Sequence, residues 1–295
     1  MKKHLARGGL FLAALIWGSG YVVSAWALDY FKPFQVMALR FTIAFLVLIL
    51  VNYKNLKDFK ASHIGKGCVI GIFLFLAFSS QLVGLKYTTV SKNAFLTSAN
   101  VVIVPLLSYL IYRNNIGKDS IVGALVTLAG IGLLSLKGEE GGLNIGDLLT
   151  LACAFFFAFH VLYTEKYLQD VSGRELIVAQ MGTAALLSWL SVMFLRQNEF
   201  QFSRASTGII VYMGLITTLL TYLIQTLCQR YTSASETAII LSSESMFGMI
   251  SSVILLNEAV TPFMVMGSLL ILLGILTVEL KPLDKMQNRR IYLET

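Results

Sequence analysis

Apolar runs near 20 residues long follow one another from end to end of this chain, and that spacing leaves few folds open. About 20 residues at about 1.5 Å each cross ~30 Å of hydrocarbon. No water satisfies the backbone there, so each run must close its own hydrogen bonds as a helix. Ten spans can be read: 8–28, 34–52, 67–85, 91–112, 119–137, 145–164, 174–195, 206–228, 235–256 and 261–280. The chain is 56% hydrophobic and 13% charged, where soluble domains carry about 25% charged residues. No polar stretch is long enough for a separate soluble domain. The expected class is all-α and integral to a membrane.

Lysine and arginine in the loops set the orientation. With the N-terminus in the cytoplasm, 16 fall inside and 6 outside, with Arg40 within a span. Both termini are then cytoplasmic, and the net charge of +7 is a topology signal rather than a nucleic-acid footprint. The first apolar run is longer than a signal-peptide core and reads as a retained span.

The chain also repeats itself. Gln81 to Lys137 lies over Gln225 to Lys281 without a gap, an offset of 144 positions. Gln81 falls on Gln225, Tyr87-Thr88 on Tyr231-Thr232, Ser98 on Ser242, Gly123 on Gly267 and Gly130-Ile131 on Gly274-Ile275. Leu12-Ala13-Ala14 matches Leu151-Ala152-Cys153 at an offset of 139. Span 1 therefore corresponds to span 6, and each half holds five spans. Five is odd, so the second half enters the membrane in the opposite sense. Inverted repeats of this kind belong to secondary transporters, whose halves rock around a midplane site. The expected division is 8–138, 145–281 and a cytoplasmic tail 282–295, with Gly138 to Gly142 a flexible joint.

Ala14-Leu15-Ile16-Trp17-Gly18-Ser19-Gly20 in span 1, Leu39-Arg40-Phe41 in span 2, and Asn257-Glu258 followed by Gly267 and Gly274 resemble the EamA-type drug/metabolite transporter superfamily. The resemblance covers nearly the whole chain as two EamA domains. It implies a ten-helix bundle that moves small metabolites, often amino acids, with spans 1–4 and 6–9 around a cavity and spans 5 and 10 peripheral. Small multidrug exporters of that superfamily keep a carboxylate in span 1; this chain has none before Asp29, so their mechanism does not carry over.

A charge at the bilayer centre costs about 2.5–3.5 kcal/mol on insertion scales, so each needs a reason. Glu244 sits midway along span 9, and its repeat partner in span 4 is Asn100, with Asn93 on the same polar face. The pair binds substrate or coupling ion across the repeat axis, or only bridges helices. Arg40 attracts a carboxylate or phosphate, or pairs with Glu244 or backbone carbonyls. Trp17 and Tyr21 with Ser24 in span 1, and Phe156, His160 and Tyr163 in span 6, form matching stripes at helical spacing. They line a site or face lipid, and His160 adds a proton relay as an option. Gln81 and Gln225 are the polar pair kept in the repeat, with Tyr222 one turn before the latter. Pro105 removes a ladder bond from span 4 and marks an expected kink. The glycines at Gly18, Gly67, Gly71, Gly123, Gly130, Gly267 and Gly274 read as close helix packing.

Cys68, Cys153 and Cys228 have no pairing or metal spacing, and no catalytic or phosphate-binding motif is present. No cofactor, metal or nucleic acid is expected. The partners expected are a small-molecule substrate, the lipid bilayer and protons as coupling ion, for a monomer or homodimer in the cell (inner) membrane. The reading is an exporter of small organic metabolites such as amino acids. A carrier of lipid-linked or hydrophobic drug-like cargo and a non-transporting scaffold stand as alternatives.

Overall fold

The computed structural model describes residues 2–113, 117–135 and 144–280. The expected joint at Gly138–Gly142 and the tail 282–295 lie outside these residues. Among them every regular element is a helix: α1 (Lys2–Leu28), α2 (Pro33–Asn52), α3 (Ala61–Leu85), α4 (Val90–Thr97), α5 (Asn100–Tyr112), α6 (Lys118–Ser135), α7 (Ile145–Leu168), α8 (Gly173–Phe194), α9 (Arg204–Gly214), a π segment (Leu215–Leu220), α10 (Thr221–Gln229), α11 (Ala234–Leu241), α12 (Glu244–Leu256) and α13 (Pro262–Leu280), with one short 3₁₀ turn at Leu56–Asp58. Eight stretches are long and apolar enough to cross a membrane: α1, α2, α3, α4 with α5, α7, α8, α9 through α10, and α11 with α12. α13 is apolar over the shorter stretch Pro262–Thr277.

Surface and interior are reversed relative to a soluble protein. Leu50, Leu110, Leu186, Phe194 and Ile254 are exposed, while Arg40, Asn93, His160, Gln225 and Glu244 are buried. Only a hydrocarbon surround makes so apolar an exterior stable. The chain is a multi-pass membrane protein.

Corresponding helices begin and end by the same local chemistry. Thr89 caps α4 by accepting from the Lys92 N–H at 3.2 Å, and Ser233, its repeat partner, caps α11 by accepting from Glu236 N–H at 3.2 Å. α5 ends at Arg113 with φ 52°, and α12 at the corresponding Asn257 with φ 56°, each a left-handed C-cap.

Spans 4 and 9 are each two helices, broken at repeat-related positions. Ser98 and Ala99 separate α4 from α5; Ser242 and Ser243 separate α11 from α12. At both breaks the ladder tightens to three-residue steps, Ala99 N–H to Leu96 O at 3.2 Å and Ser243 N–H to Ile240 O at 3.2 Å. Serine hydroxyls compete for the same carbonyls: Ser242 Oγ donates to Ile239 O at 2.6 Å and Ser243 Oγ to Ile240 O at 2.7 Å. The breaks touch, Ser98 Oγ donating to Ser242 O at 3.3 Å. Pro105, where the sequence places a kink, lies inside α5 beyond this break. Span 9 has Met249 in the corresponding place and breaks all the same, so the break does not need a proline.

Helix contacts come in exchanged pairs. α3 packs on α7 as α10 packs on α1, and α12 packs on α1 as α5 packs on α7. α6 and α13 pack on one another: a Cβ on Gly130 would lie 2.6 Å from Gly267 O, and one on Gly274 2.6 Å from Gly123 O. α1 and α7 run antiparallel. The start of α1 meets the start of α11 through Arg7 and Glu236, where Glu165 near the end of α7 accepts from Ala234 N–H at 2.9 Å. The start of α7 meets α4 through Asp147 and Lys92, Nζ to Oδ2 2.6 Å, at the end of the bundle where Ala25 and Leu28 of α1 pack near Val90.

Candidate functional site

Between these two ends lies a central cavity of about 50 Å³, lined from α1, α2, α3, α5, α7, the π segment, α10, α11 and α12. Among the described residues, none of α6 or α13 lines its wall. Binding pockets for small molecules usually enclose about 300–1,000 Å³, so the walls must part for a metabolite to enter.

Nine of the twelve residues singled out in the sequence line this cavity: Trp17, Tyr21, Arg40, Gln81, Asn100, His160, Tyr222, Gln225 and Glu244. Three do not. Asn93 is fully buried on the α4–α7 seam, donating to Thr150 Oγ1 at 2.8 Å and Gln81 O at 3.3 Å. Phe156 packs on Phe155 (centroids 6.1 Å apart), and Tyr163 stacks on Phe73 at 5.5 Å between α3 and α7. The wall of α7 is Phe157, His160 and Val161 instead. That face is turned by one residue, about 100°, from the stripe read by matching α7 to α1. Ser24, read in the sequence as part of the span 1 stripe, lines the cavity as well, and so do Phe78 and Thr217, which were not singled out.

Glu244 and Asn100 are the first residues of the helices that follow the breaks, so both reach the cavity at matching depth. Tyr21 OH donates to Glu244 Oε1 at 2.9 Å, and Gln81 Nε2 donates to Thr97 Oγ1 at 3.2 Å and toward Tyr21 OH at 3.5 Å. Of eight buried side-chain polar atoms without a hydrogen-bond partner among the described residues, three belong to this wall: Asn100 Oδ1, Tyr222 OH and Gln225 Oε1. Trp17 and Tyr222 meet edge to face at 5.1 Å, and the His160 ring stands 5.6 Å from that of Tyr222. His160 Nε2 is 2.9 Å from Gln180 Oε1 on α8.

Arg40 makes no ion pair with Glu244 among the described residues; it is held by the π segment. Its Nε donates to Thr218 Oγ1 at 2.7 Å and its Nη2 to Thr217 O at 3.3 Å, with the guanidinium 4.4 Å above the Phe78 ring. A π turn withdraws carbonyls from the regular ladder, and the Thr217 carbonyl also accepts from Trp17 Nε1 at 3.0 Å. Arg40→Lys is expected to destabilise the fold by about 2 kcal/mol, because a single ammonium cannot grip both threonines while lying flat on Phe78. The check is the thermal midpoint of purified variant against wild type in one detergent; an unchanged midpoint would contradict this role.

Residues 7–136 and 144–280 each match the EamA-like transporter family. An uncharacterized transporter of Archaeoglobus fulgidus is 35% identical over 281 residues, covering 95% of this chain and 88% of that one. A protein of Salmonella typhimurium described as a "probable amino-acid metabolite efflux pump" is 24% identical over 284 residues, covering 90% of this chain and 91% of its own. A solved structure superposes with a TM-score of 0.77 at 18% identity, covering 93% of this chain and 96% of that one, which speaks to the fold alone. With both halves matched and a relative this similar over nearly its whole length, the chain belongs to the EamA-like transporter family.

Proposed function

We propose that this transporter exports small organic metabolites, amino acids among them, by alternating access across the cell (inner) membrane. The observation that carries the reading is the small cavity at mid-bundle, where buried polar groups from both halves stand in a mainly apolar wall between ion pairs at the two ends of the bundle. The antiparallel course of α1 and α7 and the exchanged helix contacts support two inverted five-helix repeats, 8–138 and 145–281. In that reading α6 and α13 complete ten spans, and both termini and the tail 282–295 are cytoplasmic. Amino acids come from the Salmonella relative's description. Glu244 and His160 are the groups through which protons would couple to transport.

Purified protein in liposomes, offered labelled amino acids and nucleosides with and without a pH gradient, tests this reading. Wild type is expected to move at least one of them, and Glu244→Gln and Asn100→Ala to reduce that movement roughly tenfold or more. Loss of gradient dependence in Glu244→Gln would assign the coupling ion. If nothing moves in either direction, the reading is wrong. If wild type moves solute and both variants leave it unchanged, the assignment of this cavity falls.

A further inference from the structure

Two hydrogen-bond chains end in the cavity wall, and a backbone carbonyl fixes the direction of the first. Gln229 Nε2 donates to the Val161 carbonyl at 2.7 Å, and a carbonyl only accepts. The amide oxygen of Gln229 is thereby turned to Gln225, whose Nε2 donates to it at 3.4 Å. Gln225 must then present its own oxygen, and Gln225 Oε1 is buried in the wall with no donor. On the other side, Gln81 donates toward Tyr21 and Tyr21 donates to Glu244. Both chains end in an acceptor. Asn100 Oδ1, on the helix start that corresponds to that of Glu244, adds a third.

We infer that solutes are held in this cavity by a primary ammonium group, its three N–H donors shared among Glu244, Asn100 Oδ1 and Gln225 Oε1. The inference names the anchor chemistry of the proposed transporter and so rests on that reading. An ammonium supplies three tetrahedral donors and a positive charge beside the carboxylate. A neutral alcohol supplies one donor and no charge. Trp17, Phe157 and Tyr222 give the surrounding wall aromatic faces suited to a cation. Arg40 is the less available anchor for a carboxylate, because two of its three nitrogens already hold Thr217 and Thr218 and only Nη1 is left whole. The amine is therefore the required group and a carboxyl an optional one.

The test uses purified full-length protein in detergent at constant ionic strength in potassium chloride. Thermal midpoints are followed while n-propylammonium chloride, n-propanol, potassium propionate, sodium chloride, alanine or N-acetylalanine is titrated in. Propylammonium and alanine are expected to give saturable upward shifts, and the other four none. Gln225→Leu and Glu244→Gln are expected to weaken the propylammonium response roughly tenfold or more. Because either variant could misfold, a second measurement uses wild type alone. Labelling of Glu244 by dicyclohexylcarbodiimide, read by mass spectrometry, is expected to be blocked by propylammonium and not by propanol. The inference is overturned by a response to sodium chloride or propionate without one to propylammonium, by equal responses to alanine and N-acetylalanine, or by labelling that propylammonium does not block. If liposomes move solutes and no amine binds, this inference falls and the transport reading stands. If amines bind and nothing moves, the transport reading falls alone.

Discussion

Arg7→Glu is expected to remove most of the folded protein recoverable in detergent, and Arg7→Glu combined with Glu236→Arg to return it. Arg7 pairs through Nη2 with Glu236 Oε1, and its Nε donates to the same oxygen at 2.6 Å. The side chains are only 9% and 8% exposed. Leaving one partner of such a pair uncompensated destabilises by about 3–5 kcal/mol, and putting a like charge in its place adds repulsion. Lys3 reaches Glu236 Oε2 at 3.1 Å but is half exposed, so it offsets little of the loss. Lys92→Glu at the other end should do similar damage against Asp147, which is fully buried. There the exchange Lys92→Glu with Asp147→Lys is expected to restore less. Asp147 also accepts from Thr88 Oγ1 at 2.8 Å and caps its own helix through the Asn144 N–H at 3.0 Å, and a lysine does neither. Fluorescence-detected size exclusion and thermal midpoints give the comparison. An Arg7→Glu variant that melts with wild type would show that the pair holds nothing.

Gly18→Leu is expected to be the most damaging apolar substitution in α1. A Cβ there would lie 2.7 Å from the Phe247 carbonyl carbon and 2.9 Å from the Gly248 nitrogen. Those atoms are backbone, so truncating Phe247 cannot make room, and α1 must move away from α12. The displacement breaks the Tyr21–Glu244 hydrogen bond one turn further on. Overpacking against side chains costs about 1–3 kcal/mol; against a helix backbone the effect should exceed that. Gly8→Leu, on the same helix, meets nothing within 4 Å and is expected to melt as wild type does. Equal yields and midpoints for the two variants would refute the close approach.

Much of the bundle could be read in advance, because its determinants are local or periodic. Apolar length marked the helices, and the gapless offset paired Asn100 with Glu244 before their helices were known to start at a break. The glycines of α6 and α13 announced a close contact and make one. What stayed hidden depends on partners far along the chain or on small rotations. Pro105 drew attention as the obvious ladder breaker, while the breaks at Ser98–Ala99 and Ser242–Ser243 were not singled out. Phe156 stood in for Phe157 because matching helices across an offset tolerates a one-residue drift that turns a side chain by about 100°. Arg40 gave no sign of its π segment, and neither Lys92 nor Asp147 announced the other as its partner.

That pair and its counterpart carry one more consequence. Lys92 and Glu236 occupy corresponding positions, and Arg7 falls within one residue of the place corresponding to Asp147, so the sign of every charge is reversed between the halves. Two copies of the first half, assembled about the same axis, would set Arg7 against Lys92 at both mouths. Two copies of the second would set Asp147 against Glu236. In the inverted-repeat arrangement proposed above, each half would thus repel its own duplicate and accept the other.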